Sequence, residues 1–255
     1  MKCRRRKLVT VAILSMALFF SCQKGLEEKT SGTGQAELHF QNMVGALPLT
    51  LNSAFTNTFG EEFSISKLKY YITNFEFLNK QANIKATVNE SYFLVDEEDG
   101  SSKSFTLQVP VNKYNAISFL IGVDSLHNIS GAQSGALDPS KSMFWTWNSG
   151  YIMAKLEGTS PVSSLQNNMI EYHIGGFKGV DNVVKRVTLD FPTELSLEKN
   201  GHMVIDVKAD INAWFKSMHD LPISINSTCT SPGSLAKQYS ENYSTMFGIT
   251  SVVNQ

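Results

Sequence analysis

An all-β sandwich with one or two short peripheral helices is the fold this sequence predicts, on two observations. From residue 36 onward, short stretches rich in β-branched and aromatic residues alternate with clusters of Gly, Asn, Asp, Pro and Ser, the pattern of strands and turns. Nine such stretches follow one another with no internal repeat and no long linker between them, which suits two sheets packed in one domain.

The first predicted strand, 37–44, alternates Leu38 and Phe40 with Glu37, His39 and Gln41, so one face is apolar. Residues 63–78 form the longest run and carry Phe63, Ile65, Tyr70, Ile72, Phe75 and Phe77. Strands 91–96 and 104–109 flank the acidic run from Asp96 to Asp99, which reads as a solvated turn; its Gly100 stands one place early for an EF-hand calcium loop. Strand 116–123 is almost wholly apolar, and 151–156 brings Tyr151, Ile152 and Leu156. In 169–174, Ile170, Tyr172 and Ile174 share one face and Met169, Glu171 and His173 the other. Strands 183–191 and 202–208 are rich in valine and isoleucine. A helix is predicted over 210–217, where Asp210 can cap the start and Ile211, Trp214 and Phe215 recur at helical spacing. A second is predicted over 235–247, with Leu235, Tyr239, Tyr243 and Met246 on one side.

The first residues carry Lys2, Arg4, Arg5, Arg6 and Lys7, then an apolar run from Leu8 to Phe20 too short for a stable membrane span. It ends in Leu18-Phe19-Phe20-Ser21-Cys22, which resembles a lipobox cut before an acylated cysteine. The expected organisation is a lipoprotein signal peptide over 1–21, a polar tether over 22–35 and a folded domain over 36–255, anchored to a membrane through lipid on Cys22. The expected location is the cell envelope, on the outer membrane, facing the periplasm or the cell surface. Cys3 leaves with the signal and Cys22 is lipidated, so Cys229 stands alone and no disulfide is available. The expectation for Cys229 is an inert thiol rather than a soft metal ligand.

The whole chain has 22 Lys and Arg against 23 Asp and Glu, and five of the basic residues sit in the signal. The domain is therefore mildly acidic, and no basic stripe with interleaved aromatics suggests nucleic acid as a partner. No Gly-x-Ser-x-Gly elbow, His-Glu-x-x-His pair, P-loop or dinucleotide fingerprint is present. Scattered carboxylates that meet in space as a glycosidase pair remain open to the sequence.

Several segments are particular enough to carry a resemblance. They are Gly131 to Pro139, Met143-Phe144-Trp145-Thr146-Trp147-Asn148-Ser149-Gly150-Tyr151, Lys155-Leu156-Glu157-Gly158, Asn42 to Leu49, Ile65 to Asn74, Ile121-Gly122-Val123-Asp124 and His173-Ile174-Gly175-Gly176-Phe177. In this order they resemble the MbnP-like family of copper-binding proteins over nearly the whole domain. The resemblance implies a β-sandwich that holds one copper ion near two histidines, with a tryptophan oxidised by a partner di-haem peroxidase, and a protein that binds without catalytic turnover of its own. It places one copper histidine on the first strand, two residues after an aromatic, and the other in a Ser-Tyr-His-Leu-Val-Asp strand. This chain has Phe40-Gln41-Asn42 at the first position and Ser91-Tyr92-Phe93-Leu94-Val95-Asp96 at the second. Asn42 is a poor copper ligand and Phe93 is none.

His39 is a substitute candidate as a metal ligand, although strand alternation points it away from the face of Asn42. His173 is the other metal candidate, read either as a ligand or as a histidine bonded to its surroundings. Trp145 and Trp147, two apart, share one face of an extended segment, either as core rings or as the oxidised tryptophan that the resemblance implies. His127, His202 and His219 stand near loops or strand ends and rank below these. Two readings of function follow: copper binding or handling, and a family member that has lost copper and serves as a structural, partner-binding or glycan-binding surface lipoprotein.

Overall fold

The computed structural model describes residues 32–88, 91–131, 133–145 and 150–255. Its strands, in chain order, are β1 Thr33–Val44, β2 Leu47–Pro48, β3 Ala54–Thr56, β4 Glu62–Asn79 and β5 Ile84–Thr87. Next come β6 Tyr92–Asp96, β7 Ser104–Pro110, β8 Asn112–Ile121, β9 Phe144–Trp145 and β10 Gly150–Thr159. The chain closes with β11 Met169–Gly175, β12 Lys185–Leu197, β13 His202–Asp210, β14 Thr228–Cys229 and β15 Phe247–Asn254. Three short helices, α1 Ser125–Ile129, α2 Asn212–Phe215 and α3 Ser234–Tyr243, lie between them.

The strands form two sheets. The smaller runs β15-β13-β1-β2 with β7 also on β1, and β1 and β13 pair in parallel. The larger runs β12-β8-β4-β10-β11-β14, with β3, β5 and β6 on β4 and β9 on β10. Burial alternates along β1, so Ala36, Leu38, Phe40, Asn42 and Val44 face inward. Between the sheets, Phe247 of β15 meets Phe40 at 6.1 Å, Phe119 at 5.3 Å and Tyr70 at 5.8 Å. Rings at such separations add edge-to-face attraction to the hydrophobic burial that holds the layers. The two-sheet prediction is therefore met.

All nine predicted strands are present, with ends shifted by a few residues. Strand β1 begins at Thr33, so the last three residues of the predicted tether are sheet, paired with Gln108–Pro110 of β7. The 235–247 helix stops at Tyr243, and the chain turns into β15, an end strand antiparallel to β13. That strand is missed because Phe247-Gly248-Ile249-Thr250-Ser251 lacks a clean alternation, although Ile249, Thr250, Val252 and Val253 are β-formers. The 210–217 helix shrinks to α2 because Asp210 still belongs to β13; its carboxylate accepts from Asn212 N at 3.0 Å.

Candidate functional site

The first position that the resemblance implies lies near the C-terminal end of β1. Asn42 is 3% exposed, and both ends of its amide are engaged. Its Nδ2 donates to Glu97 Oε2 at 2.7 Å, and its Oδ1 accepts from the Tyr70 hydroxyl at 2.8 Å. Lys103 Nζ closes the group on Glu97 Oε1 at 2.8 Å. Burial pushes the Tyr70 phenol far above its usual range, so it stays a neutral donor. The acidic run that reads as a solvated turn is thus only partly so, because it sends Glu97 inward with 8% of its side chain exposed. The buried Asn42 amide needs an acceptor, and Glu97 supplies it.

Phe93, at the second position that the resemblance implies, stands on β6 opposite Ile72 of β4. Its ring lies flat on Phe105 at 3.8 Å and 7°. Phe105 in turn stacks on Phe40 at 5.6 Å. Both positions therefore belong to one locality, joined through Phe105 and Phe40. The donor set there is one amide already bonded at both ends and a phenyl ring without a lone pair. These residues do not fit a copper ion, whose sites draw on imidazole or sulfur.

His39 points outward, as strand alternation requires, with 42% of its side chain exposed. Its Nε2 contacts Glu37 Oε1 at 3.0 Å and its Nδ1 contacts Asp206 Oδ1 at 2.9 Å. Carboxylates only accept, so the two contacts favour a proton on each ring nitrogen. The Glu37 hydrogen bond, aided by Asp206, raises its pKa accordingly. His39 thus lies on the opposite face of β1 from Asn42, engaged by carboxylates at both ring nitrogens. Glu37 Oε2 also meets His202 Nε2 at 3.1 Å, a neighbour delivered by the parallel β1–β13 pairing.

His173 stands among charged groups on the face of β10 and β11. Its Nε2 lies 2.8 Å from Glu157 Oε1 and 3.5 Å from Glu171 Oε1. Lys67 Nζ holds Glu157 Oε2 at 3.0 Å. Lys155, 7% exposed at its side chain, donates to the Ser142 carbonyl at 2.7 Å and lies 3.7 Å from Glu157. The His173 hydrogen bond first, then Lys67 and Lys155, hold the Glu157 carboxyl down to about 2 against its partial burial. Among the described residues, Glu157, Glu171 and His173 are the one group of at least three His, Cys, Asp or Glu with ligand atoms all within 4.8 Å of one another.

Trp145 is 4% exposed and pairs with Gly150 across the β9–β10 ladder. Its ring lies against Gly175 so closely that a Cβ there would come within 2.4 Å of Trp145 Cζ3. Core packing is the role this geometry assigns to Trp145; Trp147 lies outside the described residues, as does Cys22. Trp145 also borders a cavity of about 500 Å³ together with Phe144, Tyr151, Phe177, Lys178 and Asp181. His127 Nδ1 sits by Asp124 at 3.0 Å and the Tyr92 hydroxyl at 2.7 Å, and His219 pairs with Glu241 at 2.7 Å. Cys229 is buried, and burial pushes its thiol up to about 11, as expected of an inert thiol.

A large mixed β-sandwich, closed at its inner core by aromatic rings and carrying polar clusters on its strand faces, defines an all-β domain. The MbnP family matches residues 33–231, and the chain belongs to that family. Among solved structures, MbnP from Methylosinus trichosporium is similar at 12% identity and a TM-score of 0.50. That match covers 74% of this chain and 80% of the other, a likeness of fold. No curated protein matches the chain.

Proposed function

We propose that this chain is an exported lipoprotein of the cell envelope that acts by binding, without catalytic turnover, and that has given up copper at the position its family resemblance implies. The observation that carries the reading is the occupancy of that position. Asn42 is closed into hydrogen bonds with Tyr70 and Glu97, and Phe93 is stacked on Phe105. Lys103, on the far side of Glu97, supplies a fixed positive charge that balances the inward carboxylate. A copper ion brought there would have to break this network and would gain no imidazole.

With no copper beside it, oxidation of a tryptophan by a di-haem peroxidase has no place in this reading. Protein from the native host should therefore carry unmodified tryptophan at 145 and 147 by peptide mass analysis. The direct test is a competition titration of copper(I) against a chelator of known strength. Wild type should leave the copper with the chelator, whereas Asn42→His together with Phe93→His should compete better than either single change. A wild-type chain that withdraws one equivalent of copper from the chelator overturns the proposal.

A further inference from the structure

We infer that Glu157, Glu171 and His173 form a site for a divalent first-row transition ion, distinct from the family's copper position. Glu157 and Glu171 are direct cross-strand partners in the antiparallel β10–β11 pair. Like charges placed opposite one another destabilise a sheet unless a cation lies between them. Lys67 answers Glu157 Oε2 at 3.0 Å, and Lys155 lies 3.7 Å from its Oε1. Glu171 has no lysine or arginine partner among the described residues; its ion pair is His173 at 3.5 Å. One carboxylate oxygen of Glu157, one of Glu171 and the His173 Nε2 thus converge on a single point, with one acid left short of a counter-charge.

The setting favours a held ion. Strand β10 is flanked by β4 on one side and β11 on the other, so the backbones carrying all three donors are fixed by the sheet. Side-chain exposure rises from 15% at His173 through 25% at Glu157 to 36% at Glu171, which leaves one open side for an ion to arrive. One imidazole and two carboxylates suit Zn²⁺, Mn²⁺ or Cu²⁺ and disfavour copper(I), which prefers thiolate and thioether. Lys67 and Lys155 oppose the incoming charge and so moderate the affinity, but Lys155 is turned toward the Ser142 carbonyl.

The test is equilibrium dialysis of full-length protein in detergent against Zn²⁺, followed by metal analysis. Wild type should retain one equivalent. His173→Ala and Glu171→Gln should each weaken retention at least about tenfold, the loss that even supporting partners of a metal site cause. Lys67→Met should tighten it, a change of opposite sign that a plain salt-bridge cluster does not predict. With Cu²⁺ as a paramagnetic probe, the spectrum should show coupling to one imidazole nitrogen, lost in His173→Ala. Absence of retained zinc in wild type, retention unchanged in His173→Ala and Glu171→Gln, or coupling to two imidazoles overturns the assignment. None of these outcomes depends on positions 42 and 93, so this site and the proposed function can fail separately.

Discussion

Trp145→Ala is the sharpest test of how the aromatic segment is used. The ring is 4% exposed and lies on Gly175. A tryptophan that buries roughly 200 Å² carries about 5 kcal/mol of transfer free energy at about 25 cal/mol per Å², an upper bound. Large-to-small changes at such sites cost about 3 to 5 kcal/mol once the cavity is included. For a domain of this size that lowers the melting temperature by roughly 6 to 20 °C. Gly175→Ala provides the internal control. Its Cβ would meet Trp145 Cζ3 at 2.4 Å and Cη2 at 2.6 Å, and the Tyr151 carbonyl oxygen at 3.0 Å. In wild type the overlap should cost about 1 to 3 kcal/mol. In the Trp145→Ala background the ring is gone, and only the carbonyl contact remains. The two changes should therefore be non-additive by about 1 kcal/mol or more, read from urea midpoints followed by circular dichroism. An unchanged midpoint in Trp145→Ala, or strict additivity with Gly175→Ala, refutes the packing argument and places the ring where a binding role is open to it.

Three further outcomes follow from the geometry. Hydrogen bonds to Glu37, and then Asp206, raise the folded pKa of His39 above the usual value of 6.5. Its stabilisation is fully present below that value and fades as pH rises through the folded pKa. His39→Gln should remove that part of the stability-versus-pH slope, a small part because the pair is well exposed; an identical slope in both proteins speaks against the raised pKa. Glu61, 9% exposed, accepts from Asn57 Nδ2, Ile223 N, Ser224 N and Ser224 Oγ. Glu61→Ala should cost roughly 2 to 5 kcal/mol by leaving buried donors unmet, with Glu61→Gln intermediate, measured by denaturant unfolding. Cys22→Ala should abolish incorporation of labelled fatty acid and release the protein from membranes; a variant that still labels and sediments with them contradicts the lipoprotein reading.

The β-sandwich and the family membership were legible in the sequence because each rests on local pattern. A strand's period of two assigned Asn42 to the inner face and His39 to the outer face before any pairing was known, and both assignments hold. The same period separated the apolar side of β11 from Glu171 and His173. Partnership was another matter. That Glu97 turns inward to Asn42, that His202 shares Glu37 with His39, and that Glu157 faces Glu171 all depend on which strands adjoin and in what register. Register is set by long-range ladder hydrogen bonds and by the turns between strands, which no local stretch encodes. Strand β15 shows the same limit, since it becomes a strand by completing the edge of β13 rather than by a strong pattern of its own. The sequence alone determined which side chains each strand offers to its two faces. Only the tertiary structure decided which of those side chains meet, because a sheet is joined through contacts between residues far apart in the chain.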